Sequence, residues 1–376
     1  MSQQLAAMND PMKGEENPAY LSEQIITYIG NKRALLGLIG QGVRSVRERL
    51  GGRKLSCLDA FSGSGIVSRM LKQHATELYV NDLEDYARTI ATCYLANAES
   101  IDKRELAAQL SYLQQQLREL SPGFITELYA PADDNDIRPG ERAFYTRRNA
   151  MYLDSACRAI LTLPADMQAF FLAPLLCEAS VHTNTAGVFK GFYKNRAGIG
   201  QFGGEARNAL SRILTDIELK LPVFSHFQTE NHIFQAPANE LVQSLPELDL
   251  AYLDPPYNQH PYGSNYFMLN LIANYKRPEQ TSTESGIPRD WNRSAYNRPQ
   301  SAQAELFRLV QDCPARFILI SYNSEGFVKY EDFISHLQKL GKVTVLQTEY
   351  NTFRGCRNLR NRDIKVTEFL FLLEKK

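Results

Sequence analysis

The sequence has no excess of charge, since its 42 basic residues are balanced by 42 acidic ones. Nothing global advertises a nucleic-acid partner, and any such attraction must come from local clusters. Cysteine is scarce and scattered: Cys57, Cys93, Cys157, Cys177, Cys313 and Cys356 include no close pair. That spacing fits neither a zinc site nor a secreted disulfide framework, so reduced thiols and no bound metal are expected. No apolar run approaches membrane-spanning length, and the opening M-S-Q-Q-L-A-A-M-N-D lacks a basic region followed by an apolar one. A cytoplasmic chain is the expectation. No internal repeat stands out, and tryptophan occurs once, at Trp291.

What is present is ordinary globular composition, 44% hydrophobic and 22% charged, over 376 residues. That length suits two domains or one large α/β domain carrying an insertion. The chain is organised around residues 248–257, L-D-L-A-Y-L-D-P-P-Y. An apolar, β-favouring run ending in an acid, two prolines and an aromatic predicts a buried parallel strand entering a loop, with Asp254 at its carboxyl end. In open α/β sheets ligands bind at that edge. Pro255 and Pro256 stiffen the backbone, so that the Asp254 carboxylate and the Pro255 carbonyl are aimed together. Two fixed acceptors suit the two hydrogens of a nucleobase amino group, whose lone pair is otherwise delocalised into the ring. Tyr257 would stack on a base taken out of its duplex. A lone D-P-P would read as a simple turn; its setting favours the chemical reading.

Residues 55–70, L-S-C-L-D-A-F-S-G-S-G-I-V-S-R-M, predict strand, glycine-rich turn and helix. Gly63 and Gly65 let the backbone approach a ligand and present amides to it. Ser68 stands where a dinucleotide fingerprint has its third glycine, which favours a nucleoside with a smaller charged tail over a pyrophosphate. Residues 77–82, E-L-Y-V-N-D, predict a second strand ending in Asp82, suited to ribose hydroxyls or to capping the next helix, with Leu83 available for an adenine face. Upstream, residues 25–38 pass from a short β-like run through Gly30 into a helix, with Lys32 at its start.

From residue 100 the strand rhythm gives way to helical patterns. Arg147 and Arg148 adjoin Phe144 and Tyr145, and Lys190 and Lys194 adjoin Phe192 and Tyr193. Such interleaving suggests phosphate contacts and stacking surfaces, although a solvated helical face reads the same way. Strands resume over 227–234, 316–322, 343–350 and 365–373, with a short helix over 240–245 and a loop, 236–239, directed at the nucleoside pocket. Residues 353–362 hold Arg354, Arg357, Arg360 and Arg362, a loop suited to a DNA backbone. The expected organisation is a catalytic domain over 21–99 and 225–376, a mainly helical target-recognition insertion over 100–224, and a loose leader over 1–20.

These motifs, in this order, resemble the D12 class of N6-adenine-specific DNA methyltransferases: Tyr28, Gly30 and Lys32, then Asp59 to Gly65, then Asp82, then Asp254 to Tyr257. About half of the chain separates Gly65 from Asp254, where this family places its target-recognition region. The resemblance implies a Rossmann-like seven-stranded α/β sheet with an antiparallel last strand, S-adenosylmethionine as methyl donor, and duplex DNA as substrate. By the same resemblance Tyr28, Lys32, Asp82 and Asp254 fall where the family binds its cofactor, and the glycine-turn residues Asp59, Phe61, Ser62, Gly63, Ser64 and Gly65, with Leu83 and Asn239 from their places at the strand ends, complete the expected cofactor site. Asp254, Pro255, Pro256 and Tyr257 would hold the target base. A partner restriction endonuclease is a further expectation. Methylation of RNA or of cytosine N4, a nicotinamide-dependent oxidoreductase, and an inactive DNA-binding module on the same fold stay open as alternatives. Asp254, the missing third glycine and the intact motif residues count respectively against them.

Overall fold

The computed structural model describes residues 15–23, 25–257, 259–351 and 365–376. They divide into two compact units. One comprises Gly30–Ala91, Ser225–Pro261 and Arg293–Lys376; the other comprises Thr92–Phe224, Tyr262–Asn292 and the described part of Met1–Ile29.

The first unit is built on a seven-stranded sheet of β1 (Leu55–Asp59), β2 (Ala75–Asn81), β3 (Glu230–Phe234), β4 (Leu248–Leu253), β5 (Ala315–Asn323), β6 (Gly341–Asn351) and β7 (Lys365–Lys375). The spatial order is β3-β2-β1-β4-β5-β7-β6. Pairings from β3 through β5 are parallel, whereas β7 runs antiparallel to both β5 and β6. This is the mixed sheet with an antiparallel last strand that the family resemblance implies. Leu250, Ala251, Tyr252 and Leu253 of β4 and Phe317, Ile318, Leu319 and Ile320 of β5 are all buried. Their unbroken apolar run is what a strand covered on both faces requires.

The order reverses direction between β1 and β4, whose ends lie in register, Asp59 beside Tyr252. Ligands of doubly wound sheets sit at such a reversal. Asn81 fastens this edge. Its amide group donates to the carbonyls of Ala60 and Ala236 at 3.1 and 3.0 Å and its oxygen accepts from the Ala236 amide at 3.0 Å, so the ends of β1, β2 and β3 are joined through one side chain.

The second unit is helical, with helices Lys103–Gln116, Phe124–Tyr129, Arg147–Ile160, Ala165–Val181 and Phe267–Asn274. Phe144, Tyr145, Phe171, Phe189 and Phe267 fill its core. Buried Asp154 accepts from the amides of Gly123, Ile125 and Thr126 and from the hydroxyls of Thr126 and Tyr275, which ties the start of helix Phe124–Tyr129 to helix Arg147–Ile160.

Three local expectations are corrected. Residues 25–28 form no strand, because the amides of Thr27 and Ile29 are taken by the Ser180 and Tyr266 hydroxyls, at 2.8 and 2.6 Å, instead of by a ladder. The strand expected over 227–234 begins only at Glu230, and the helix expected over 240–245 is the short Ala238–Leu241. Cys57, Cys93, Cys157, Cys177 and Cys313 are free and buried; Cys356 lies outside the described residues. Among the described residues no helix is long and apolar enough to cross a membrane.

Candidate active site

Asp254 directly follows β4 at the carboxyl edge of the sheet, with its side chain 16% exposed. Behind it lies Lys32, at the start of the 3-10 turn Lys32–Leu35 and almost fully buried. The Lys32 Nζ is 3.2 Å from Asp254 Oδ1 and 2.8 Å from Glu368 Oε1. Burial alone would lower the lysine pKa, but Asp254, Tyr257 and Glu368 together raise it well above its ordinary value, so it is an ammonium ion. At Asp254 burial is the largest influence and pushes the carboxyl up to about 7, with Lys32 pulling down and Glu368 pushing up. A carboxyl poised there changes charge near neutrality on small changes in its surroundings.

The Tyr257 ring lies 5.5 Å from the Lys32 ammonium and meets Tyr322 edge to face at 5.7 Å. Only 8% of Tyr257 is exposed, so the ring is largely covered by its own protein. Pro255 is buried and Pro256 half-buried, as expected of a stiff connection beneath the acid.

The glycine turn after β1 forms as predicted. Gly63 and Gly65 adopt φ values of 50° and 75°, which a side chain would strain, and Gly65 opens the helix Ile66–Leu71. The expectation that its amides face a ligand is corrected in part. Ser62 N–H donates to the Asn81 carbonyl, Gly63 N–H to Asp82 Oδ2 at 2.7 Å, and Gly65 N–H to the Ser62 carbonyl. The reason is the acid after β2, which lies close enough to brace the turn itself. Asp82 also accepts from the Glu84 amide through its other oxygen at 3.0 Å, which closes a local turn; the helix begins only at Asp85, two residues beyond the start expected, so Asp82 is not its cap. Burial raises its pKa against these bonds.

Asp59 is wholly buried below the turn, where Ser68 Oγ donates to its Oδ2 at 2.5 Å. The serine in place of a third glycine is thus the partner of the β1 acid. Burial pushes Asp59 up to about 7; the Ser68 bond opposes this and the charge at Asp254 adds to it. Across the reversal, Asn239 Oδ1 accepts from the Tyr296 hydroxyl and its Nδ2 donates to the Glu305 carbonyl at 2.9 Å. Tyr296 in turn meets Phe61 edge to face at 5.2 Å. Leu83 is half-buried beside Asp82.

One unit therefore holds Lys32, Asp59, the turn from Phe61 through Ser62, Gly63 and Ser64 to Gly65, Asp82, Leu83, Asn239 and Asp254 to Tyr257. Tyr28 belongs to the other unit, where it stacks on Tyr262 and Tyr266 at 5.0 and 4.7 Å. Of the basic residues in the helical unit, Arg148 pairs with Asp216 at 2.7 Å and Lys194 pairs with Glu284. Arg147 is half-buried and bonded to the Pro131 carbonyl at 3.4 Å. Lys190 is exposed and has no ion pair among the described residues. Phe144 and Tyr145 offer no stacking surface, because both are fully buried in the core; the mixture of bases and aromatics there is an amphipathic boundary. Arg354, Arg357, Arg360 and Arg362 lie outside the described residues.

Sequence reasoning missed Glu368, Ser321, Tyr296 and Asn81. For Glu368 a signal existed, an acid inside the otherwise apolar strand K-V-T-E-F-L-F-L-L; the others are ordinary polar residues that only tertiary pairing singles out.

A sheet of this order, with a glycine turn after β1, an acid after β2 and D-P-P-Y after β4, is the Rossmann-like sheet of a methyltransferase. The D12 class N6 adenine-specific DNA methyltransferase family matches residues 28–310, and the chain belongs to that family: it is a DNA adenine methyltransferase. The chain is 29% identical to the type II methyltransferase M.NlaIII of Neisseria lactamica, over 93% of this chain and 99% of that protein. It is 27% identical to the type II methyltransferase M.CviAII of Paramecium bursaria Chlorella virus 1, over 93% and 98%. With the modification methylase StsI of Streptococcus sanguinis it shares 28% identity over 93% of this chain, spanning 52% of that longer protein.

Proposed function

We propose that this DNA adenine methyltransferase uses S-adenosylmethionine, takes its target adenine out of the duplex, and transfers the methyl group to N6 at Asp254. The observation that carries this reading is the Asp254 carboxylate, held by Lys32 at the carboxyl edge of β4 next to the strand reversal. The residues around that reversal suit the donor. Gly63 and Gly65 keep side chains off the turn, Asp82 offers remaining acceptor capacity for ribose hydroxyls, and Phe61, Leu83 and the Asn239 loop supply apolar and polar walls. Ser62, Ser64 and Asp59 shape the same turn, and Lys32 fixes the acid. When bound, the donor supplies an electrophilic methyl group on a sulfonium.

Asp254 and the Pro255 carbonyl would accept the two hydrogens of N6. That fixes the amino group and leaves its lone pair directed at the methyl, so most of the acceleration is positioning and fixed electrostatics. Pro256 stiffens the connection, and Tyr257 would stack on the extruded base after a side-chain or loop shift that uncovers its face. For the DNA backbone we assign Lys190, Lys194, Arg147 and Arg148 in the helical unit and Arg354, Arg357, Arg360 and Arg362 in residues 353–362. The organisation proposed is a catalytic domain over 21–99 and 225–376 with a target-recognition insertion over 100–224.

The similarity to type II methyltransferases and modification methylases supports a role as the modification enzyme of a restriction system, with a cognate endonuclease as partner. Incubation with unmethylated genomic DNA and S-adenosylmethionine, followed by single-molecule sequencing, tests the proposal. N6-methyladenine confined to one short motif is the expected result. Modified cytosine, or no modified base, contradicts it.

A further inference from the structure

We propose that Glu368 is a positioning residue for methyl transfer: by sharing Lys32 with Asp254, it sets how strongly Asp254 accepts hydrogen from the target amino group. This deepens the reading above and rests on Asp254 being the acceptor.

Glu368 sits on β7 between β5 and β6, and only 1% of it is exposed. Its Oε1 accepts from Lys32 Nζ at 2.8 Å and from Ser321 Oγ at 2.7 Å, while its Oε2 has no hydrogen-bond partner among the described residues. Ser321 lies on β5 opposite Leu370, which makes it a diagonal neighbour of Glu368 on the same face of the sheet. A buried carboxylate with one oxygen unpaired is costly, and core packing alone would be served better by an apolar residue, as at the flanking β7 positions Leu370 and Leu372. What the carboxylate adds is competition for one ammonium. Lys32 Nζ lies closer to Glu368 than to Asp254, at 2.8 against 3.2 Å, so the lysine anchors Asp254 without fully satisfying it. An Asp254 paired to Lys32 alone would be a weaker acceptor for N6. An Asp254 without Lys32 would hold a proton at neutral pH and could not accept through that oxygen.

The titratable groups that act on this arrangement are Lys32 from the 3-10 turn, Tyr252 from β4, Tyr257 from the loop after it, Asp59 from β1 and Glu368 from β7. Among the described residues, Glu368 is the one carboxylate besides Asp254 that touches the lysine.

The test is the single-turnover rate of methyl transfer against pH, at saturating DNA and S-adenosylmethionine. For the wild type the rate is expected to rise with pH as Asp254 ionises. In Glu368→Gln the ammonium passes to Asp254, and the rising limb should move to lower pH by roughly one unit. Lys32→Met should move it to higher pH. Ser321→Ala removes the hydroxyl that competes for Oε1 and strengthens the hold of Glu368 on Lys32, so its limb should move upward by a smaller amount; this mild change also decides the matter if Glu368→Gln does not fold. A purely structural Glu368 would lower the melting temperature and leave the limb where it is. An unmoved limb in Glu368→Gln, or in Ser321→Ala where the former cannot be made, overturns the proposal. Asp254→Ala is assayed alongside: if it stays active, the Asp254 reading itself has failed, whereas an inactive Asp254→Ala with unmoved limbs removes Glu368 alone.

Discussion

Asp59, wholly buried, and Asp82, half-buried, are both acids at strand ends, yet their partners give them different work. Asp59 holds Ser68 within the protein, and Asp82 braces Gly63 while keeping lone pairs to spare. Asp82→Ala should weaken S-adenosylmethionine binding by the worth of one or two hydrogen bonds to a charged group, roughly 1.5 to 3 kcal/mol each. Calorimetry giving wild-type affinity in the folded variant would remove Asp82 from the site. Asp59 is tested by stability instead. Its carboxyl is pushed up to about 7 in the folded protein by burial. The stability linked to a raised pKa is fully present below the unfolded value and is lost as pH rises through the folded one. Asp59→Asn has no such loss, so its melting temperature should improve relative to wild type between about pH 4 and pH 7. A constant difference across that window would mean that Asp59 does not titrate there.

The glycine turn is the element that joins β1 to the proposed cofactor wall, and its geometry depends on Gly65 at φ 75°. A Cβ at that position would also come within 3.2 Å of Ile90 Cγ2. Gly65→Ala should therefore cost about 1 to 2 kcal/mol of stability from the backbone conformation alone, and should weaken S-adenosylmethionine binding by distorting the turn. Unchanged melting and unchanged affinity would contradict the geometry. This turn and the D-P-P-Y loop were legible in the sequence, because a buried strand and the residues that end it are local and adjacent. Glu368 was harder to read: its strand was recognised, but its partner Lys32 is 336 positions away and no local pattern links them. Phe144 and Tyr145 misled for the opposite reason. Their neighbours Arg147 and Arg148 suggested a surface, while the structure turns both rings into the core.

For the whole molecule, a net charge of zero means that DNA affinity depends on which cations are uncommitted. Lys190 is exposed with no ion pair among the described residues, whereas Lys194 is neutralised by Glu284. Lys190→Ala should lower the slope of log affinity against log salt by about 0.9. Lys194→Ala should lower it less, since its carboxylate partner must be displaced first. Equal losses in a filter-binding titration would show that Glu284 releases Lys194 freely to DNA. The central claim is that the acid at the end of β4 holds the adenine amino group. The most direct measurement is the single-turnover transfer of labelled methyl from S-adenosylmethionine to target DNA by Asp254→Ala, with folding verified by circular dichroism. Loss of one fixed hydrogen-bonding group at a reacting centre costs on the order of a hundredfold or more, and that is the fall expected here. A rate within a few-fold of wild type would contradict the account.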